Sequence, residues 1–112
     1  MGRDRINAVL EKLQEAGIQA QRGFPAEKMP HLKSPMVGVC IEHMDATNTT
    51  LALHIYTPLR QGGAACEDMA LQVVDTLASL RGTYKIQGCS FDRQTALFHC
   101  TVLVTFLQVI VE

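Results

Sequence analysis

The fold is decided by residues 50–80, which read TLALHIYTPLRQGGAACEDMALQVVDTLASL. Apolar and polar side chains alternate over residues 50–57, a pattern typical of a β-strand, and Pro58 ends the alternation. After a pair of glycines the apolar residues recur every three or four positions, which predicts an amphipathic helix over residues 64–80 that ends at Gly82. A strand that leads through a glycine loop into a helix therefore forms the centre of the predicted fold.

The N-terminal third begins with a second predicted helix. Asp4 is its candidate N-cap, and Gly17 stands where a left-handed residue commonly ends a helix. The apolar residues at helical spacing are Ile6, Val9, Leu10 and Leu13. Residues 18–22 are predicted as an optional short strand. Residues 24–35 contain three prolines and no apolar period, which predicts a long loop.

Two hairpins are predicted around the central helix. Residues 37–42 alternate, and turn-forming residues 45–48 lead into the strand at 50–57, which indicates an antiparallel pair. Residues 84–91 form a weaker strand interrupted by a glycine, followed by a turn and the longest strand, at residues 96–110. The order of elements is helix, optional strand, two strands, helix, two strands.

This order predicts an α+β fold with two helices and a predominantly antiparallel sheet of four to five strands, in one domain over residues 1–112. The face predicted to form the core, under the helix at 64–80, carries Val37, Val39, Ile41, Leu51, Leu53, Ile55, Phe98, Val102, Val104 and Phe106. The opposite face carries Gly38, Cys40, Ala52, His54, His99, Thr101 and Thr105. These small or half-polar side chains suit a covering helix, a neighbouring subunit or partial exposure, and the three alternatives stay open.

Composition excludes several classes of protein. The 112 residues are 47% hydrophobic and 19% charged, with a net charge of -1, which predicts a soluble globular domain without an electrostatic footprint for nucleic acid. Apolar stretches are too short to span a bilayer, and the N-terminus lacks the apolar core of a signal peptide. The four cysteines match no zinc or redox motif and are predicted to be buried thiols of a cytoplasmic protein: Cys40, Cys66, Cys89 and Cys100.

Two histidines on the second face are the first candidates for chemistry. His54 and His99 belong to neighbouring strands and converge with Cys40 or Glu42 if the strands pair in register, since alternate residues share a face. Imidazole, thiolate and carboxylate groups are metal ligands. Because no ligand pair at helical or short loop spacing accompanies them, hydrogen-bonded or interfacial histidines are favoured over a metal site.

The start of the central helix supplies two further candidates. Cys66 lies where the helix dipole favours a thiolate, but Glu67 and Asp68 oppose it, so core packing is favoured over nucleophilic catalysis. Gly62 and Gly63 stand where backbone amides can bind an anion, yet the residues of a P-loop or a dinucleotide fingerprint are missing. A flexible loop is predicted there.

The tip of that loop is a candidate contact with a partner. Arg60 and Gln61 precede the glycine pair, and exposed loop residues commonly carry recognition. The predicted partner-contact loop is therefore Arg60, Gln61, Gly62 and Gly63.

Taken together, the elements resemble the tail terminator, or tail completion, proteins of tailed bacteriophages and prophages, which are minor tail proteins. The resemblance spans nearly the whole chain. It lies in the helix at 6–13, the proline-containing crossing at 24–35, the strand LHIYTP at 53–58, the glycine pair followed by Cys66 and Glu67, and the closing strand at 98–106.

The resemblance implies a structural protein of virion assembly rather than an enzyme, with no catalytic residue and no cofactor. Members of the family form homo-oligomeric rings, commonly hexamers, on the head-proximal end of the tail tube, where they halt tube growth and join the head. The implied partners are further copies of the chain, a tail-tube protein and head–tail connector proteins, without nucleic acid or membrane. The implied location is the host cytoplasm during assembly and then the virion tail.

In such a ring, the half-polar face around His54, His99 and Thr101 becomes the predicted subunit interface. Two other classes stay open. A small ligand-binding or regulatory α+β module requires a specific cavity at Gly62 and Gly63. A metal-dependent enzyme using His54 and His99 requires both rings to converge in a pocket with Cys40 and Glu42.

Overall fold

The computed structural model describes residues 2–23 and 32–107, with side chains from Asp4 onward. Most of the predicted loop at 24–35, and the end of the strand predicted to reach residue 110, lie outside the described residues. The elements in chain order are α1 (Gly2–Glu15), β1 (Ala20–Arg22), β2 (Met36–Met44), β3 (Asn48–Pro58), α2 (Gly62–Leu77), β4 (Thr83–Ile86), β5 (Ser90–Asp92) and β6 (Leu97–Leu107). Short 3-10 turns at Leu59–Gln61 and Ala78–Leu80 flank α2.

All of these strands belong to one sheet, in the order β1-β2-β3-β6-β4, and β5 also pairs with β6. The predicted α+β class with two helices is confirmed. The predicted sheet of four to five strands is only roughly matched, because the sheet has six strands and is mixed. One extra strand arises because the stretch predicted as one weak strand is divided into β4 and β5, which pair with opposite ends of β6.

The parallel pair in the sheet is β1 with β2. Strands that follow each other through a tight turn pair antiparallel, whereas a parallel pair requires a longer connection that returns the chain to the same end of the sheet. Residues 23–35 supply that length. The remaining pairs are antiparallel, including β3 with β6, which run side by side over eleven residues each.

The core lies between one face of the sheet and both helices. Its buried residues are Ile6, Val9, Leu13, Ile18, Val37, Val39, Leu51, Leu53, Ile55, Cys66, Ala70, Val73, Leu77, Cys100, Val102, Val104 and Phe106. The predicted core face is therefore largely confirmed, with two corrections. Ile41 is 42% exposed, at the far end of β2 beside an irregularity in pairing, and Phe98 is only partly buried.

Several predicted helix boundaries also need correction. Asp4 is not an N-cap, because α1 already begins at Gly2. Gly17 has the predicted left-handed conformation, with φ of 80°. After α2, however, the left-handed residue is Arg81 rather than Gly82. Neither described helix is long and apolar enough to cross a membrane.

Candidate functional site

The second face of the sheet carries the three residues that the sequence predicts as a subunit interface, His54, His99 and Thr101. We call it the histidine face and define it by alternate positions of the two central strands: Thr50, Ala52, His54 and Tyr56 of β3, and His99, Thr101, Leu103 and Thr105 of β6. Both described helices pack on the opposite face. Ala52 and Tyr56 are buried and the other members are half-buried, so the face is neither a conventional core nor a fully solvated surface.

Strand register brings the two histidines together. His54 lies directly opposite Thr101, and His99 lies opposite Tyr56. Nδ1 of His54 is 3.0 Å from Nε2 of His99, and the two rings share a hydrogen bond in which one nitrogen donates and the other accepts. The Thr101 hydroxyl lies 3.5 Å from the same nitrogen of His54 and 3.4 Å from that of His99. All three predicted interface residues therefore meet in one cluster.

Aromatic stacking extends this cluster along the face. The rings of Tyr56 and His99 are nearly parallel, with centroids 4.6 Å apart and planes at 11°. The rings of His54 and His99 follow at 5.2 Å and 19°. His99 therefore stacks on Tyr56 and meets His54 edge to edge, through the two hydrogen-bonded nitrogens. Further along the face, the hydroxyls of Thr50 and Thr105 share a hydrogen bond of 3.0 Å.

The environment favours neutral imidazoles. Burial lowers the pKa of His54, and the nearby His99 lowers it further, while Glu42 acts in the opposite direction. Burial also lowers the pKa of His99, and the negative charge of Asp92 partly opposes this shift. The hydrogen bond between the rings requires that at least one of them be uncharged, so the electrostatics and the geometry agree.

The larger metal cluster considered from the sequence does not form in the described part of the chain. Cys40 is half-buried near Glu42, and burial followed by that carboxylate raises the pKa of its thiol. Among the described residues, however, no three His, Cys, Asp or Glu side chains are arranged to hold a metal ion. The convergence of His54 and His99 with both Cys40 and Glu42, which the enzyme alternative requires, is therefore not found.

The predicted partner-contact loop has a different local structure from the one expected. Gly62 and Gly63 are the first residues of α2, so the prediction of a flexible glycine loop was wrong. Gly62 has a φ of 80°, a left-handed value that favours glycine and lets the chain pass from the 3-10 turn into the helix. Arg60 and Gln61 belong to that turn and are exposed. Their role as partner contacts stays a prediction.

Arg60 also contacts the segment that leads into β2. Its Nη2 donates a hydrogen bond of 2.7 Å to the carbonyl oxygen of Lys33. A cleft of about 280 Å³ lies beside it, lined by Leu32, Lys33, Pro58, Leu59, Arg60, Thr95, Ala96 and Leu97. This cleft adjoins the turn, but neither Gly62 nor Gly63 lines it. This cleft is therefore not the cavity at the glycine pair that the ligand-binding alternative requires.

The cysteines are less uniformly buried than predicted. Cys66 and Cys100 are buried, whereas Cys40 and Cys89 are only half-buried. Burial, followed by a hydrogen bond with Cys89, raises the pKa of Cys66 to about 12. Such a thiol stays protonated at neutral pH, which agrees with core packing of Cys66 and opposes the nucleophile alternative.

A second cleft escaped the sequence analysis. It lies between α2 and the gap separating β4 from β5, with a volume of about 280 Å³, and is lined by Glu67, Leu71, Ile86, Gln87, Gly88, Cys89 and Cys100. The only signal in the sequence was Gly88, which weakened the predicted strand. The position of this cleft against α2 depends on tertiary packing, which the local sequence does not indicate.

Comparisons with known proteins add no relative: no family model and no curated protein matches this chain. The functional proposal therefore rests on the resemblance of the sequence and on the histidine face.

Proposed function

We propose that this chain is a structural assembly protein of a phage or prophage tail, which caps the tail tube and joins it to the head-proximal connector. The proposal combines the family resemblance of the sequence with one structural observation. That observation is the histidine face, a half-buried surface of the two longest strands on the side of the sheet away from both described helices.

The composition of this face suits contact with protein. From Thr50 to Tyr56 on β3 and from His99 to Thr105 on β6, every position of the face is uncharged when the histidines are neutral. Charged residues are typically depleted from the cores of protein interfaces, and aromatic residues are enriched. Tyr56 and the two hydrogen-bonded imidazoles supply the aromatic surface.

The inferred occupant of the face is a second copy of the chain, in a ring. When the nine-residue strand β2 beside the histidine face is included with the two strands of eleven residues, the surface is about 36 Å long and about 15 Å wide, so contact buries roughly 1,000 Å² in total. That area is at the lower limit for a specific interface. Copies therefore associate weakly in isolation and strongly once a tube end holds them together.

The decisive experiment is electron microscopy of tail tubes assembled with and without this protein. Density that caps one end of the tube, together with a uniform tube length, is the expected result. If tube length, tube ends and sedimentation are the same in both preparations, the tail terminator proposal fails.

A matched pair of variants tests the histidine face itself. Leu103→Lys introduces a charge on the face, whereas Leu71→Lys introduces the same charge at a 56% exposed position of α2. Both variants are first compared with the wild type by circular dichroism. Leu103→Lys should reduce capping and ring formation while Leu71→Lys leaves both unchanged. Equal capping by the two variants contradicts the assignment of the face.

A further inference from the structure

We propose that the cleft beside Arg60 binds an acidic segment of a partner protein, whose carboxylate pairs with the side chains of Arg60 and Lys33. The cleft lies at one end of the sheet, where three segments meet: the approach to β2, the turn after β3 and the turn between β5 and β6. The proposal does not depend on the tail function, since every described lining residue belongs to one chain.

The charge of the cleft favours an anion. Arg60 and Lys33 line it, and none of the described lining residues carries a carboxylate. The turn between β5 and β6 contains Asp92, but this residue does not line the cleft, and its Oδ1 accepts a hydrogen bond of 3.0 Å from the backbone amide of Gln94. The described lining therefore leaves the two cations without a balancing charge, which an acidic ligand supplies.

A hydrogen bond fixes the guanidinium of Arg60 beside Lys33. Its Nη2 donates to the carbonyl oxygen of Lys33 at 2.7 Å. A guanidinium has five N–H donors, so most of them stay available, and its planar fork matches the two oxygens of a carboxylate. Because the hydrogen bond already restricts the long side chain, less conformational freedom is lost when a ligand binds.

Apolar side chains form much of the remaining lining: Leu32, Pro58, Leu59 and Leu97. Leu59 is 55% exposed, so a ligand that covers it removes apolar surface from water. An ion pair at an exposed site contributes little to affinity by itself. We therefore expect the bound segment to carry an apolar residue next to its acidic one, so that burial and charge act together.

Thr95 adds an unsatisfied polar group to the lining. Its Oγ1 is buried and has no hydrogen-bond partner among the described residues, which is uncommon for a buried hydroxyl. A hydroxyl can donate or accept, and a carboxylate or the backbone of a bound peptide provides suitable partners. Thr95 therefore offers a third polar contact beside the two cations.

The size of the cleft suits part of a peptide. Its volume of about 280 Å³ is slightly below the range of about 300–1,000 Å³ that is typical of small-molecule sites. Such a volume favours one or two side chains over a nucleotide or another large cofactor. The apolar lining also favours a peptide over a free phosphate, which gains nothing from apolar contact.

The test uses two blocked pentapeptides, one with glutamate between two leucines and one with glutamine in its place. Each is titrated into the isotope-labelled full chain and followed by NMR. The glutamate peptide should cause saturable shifts at the backbone amides of Lys33, Arg60 and Leu97. The glutamine peptide should bind at least about threefold more weakly. High salt should weaken binding of the glutamate peptide, because the charges are exposed.

Variants assign the binding to the cleft. Arg60→Gln and Lys33→Gln should each weaken binding of the glutamate peptide about two- to fivefold. Lys85→Gln is the matched control, at an exposed position of β4 outside the cleft, and should bind like the wild type. Circular dichroism verifies that each variant is folded. If Arg60→Gln does not fold, Arg60→Lys takes its place and should also weaken binding, because lysine lacks the planar fork.

The proposal is overturned if the glutamate peptide causes no saturable shift, if both peptides bind equally, or if the Arg60 variant and Lys33→Gln bind like the wild type. Inorganic phosphate is the comparison ligand. If phosphate shifts the same amides and the glutamate peptide does not, the cleft is a phosphate site and the proposal is also overturned. Peptide binding and tube capping are measured separately, so either can fail without the other.

Discussion

His54 and His99 are joined by a hydrogen bond of 3.0 Å, although they are diagonal neighbours on β3 and β6 rather than directly opposed residues. The shared proton requires that at least one facing nitrogen accepts. Two protonated rings would place like charges at this distance, so the pair loses its hydrogen bond when both rings are charged. The centre of the histidine face is therefore sensitive to pH.

We expect the thermal stability of the protein to fall as the pH drops below about 6.5, the ordinary pKa of histidine. Both rings have a lowered pKa in the folded protein, chiefly because of burial. Between the pKa values of the folded protein and the ordinary pKa of histidine, the unfolded chain binds more protons than the folded protein. Acid therefore favours unfolding. The contribution of the two neutral imidazoles to stability is fully present above the ordinary pKa. It is lost as the pH falls through the pKa values of the folded protein.

Thermal unfolding followed by circular dichroism between pH of about 8 and about 5 measures this effect. The variant carrying both His54→Gln and His99→Gln should have a flatter profile than the wild type. A double variant with the full pH dependence would assign the effect to other groups.

Val102→Asp should prevent soluble folding. Val102 is fully buried in the middle of β6, and an unpaired carboxylate there costs about 4 kcal/mol or more, a large share of the stability of a small domain. Leu107→Asp is the control at the end of the same strand, where the side chain is 70% exposed. Soluble yield and thermal unfolding compare the two, and an unchanged midpoint for Val102→Asp would show that the core face is misassigned.

The alternation of β6 explains why this face could be predicted from sequence. A period of two assigns every residue of a long strand to a face, so the burial of Val102, Val104 and Phe106 follows from the pattern alone. The meeting of His54 with His99 does not follow, because it depends on the register between β3 and β6. Register is set by contacts across the sheet and by the connection through α2.

Two other features, the strand β1 and the residue that ends α2, could not be predicted because nothing in the local sequence indicates them. β1 has three residues, too few for a period, and its parallel pairing depends on the path of a long connection. The rule that glycine ends a helix in a left-handed conformation favoured Gly82, whereas Arg81 adopts that conformation. Gly82 is required for close packing instead, a constraint that only the assembled core imposes.

Gly82→Ala should destabilise the protein by about 1–3 kcal/mol. An added Cβ would lie 2.9 Å from Cγ1 of Val104 and 3.0 Å from the ring of Phe106, both in the core. Gly88→Ala is the matched control, because a Cβ there meets nothing within 4 Å, and its effect should stay within about 0.5 kcal/mol. Urea unfolding measures both, and equal midpoints would contradict the predicted clash.

Brief alkylation of the native protein should modify Cys40 and Cys89 before Cys66 and Cys100. The first pair is half-buried and the second pair is buried, and burial also raises the pKa of the Cys66 thiol to about 12. Peptide mass spectrometry gives the order of labelling, with urea-unfolded protein as the control in which all four react alike. Disulfides should be absent. Rapid labelling of Cys66, with an activity that depends on it, would instead support the nucleophile alternative.

The last prediction concerns the exposed turn before α2. Replacing Arg60 and Gln61 by Glu should weaken tube capping without unfolding the domain, if this turn contacts the tube or the connector. Arg60 is exposed and its one described side-chain hydrogen bond goes to the Lys33 carbonyl, so its replacement disturbs a surface contact and leaves the core intact. Reversal of charge at a contact also slows association, because electrostatic attraction to the partner becomes repulsion.

Arg22→Glu is the charge control for this variant, at an exposed position of the edge strand β1. Capped tube ends are counted by electron microscopy for the wild type and both variants, and circular dichroism verifies that all three are folded. Arg60 also donates a hydrogen bond to the Lys33 carbonyl. A variant with Ala in place of Arg60 and Gln61 therefore separates the loss of that hydrogen bond from the effect of charge repulsion. The Glu variant should cap fewer ends than the Ala variant. If the Glu variant caps as many ends as the wild type, the turn does not contact a partner, whatever the outcome for the histidine face.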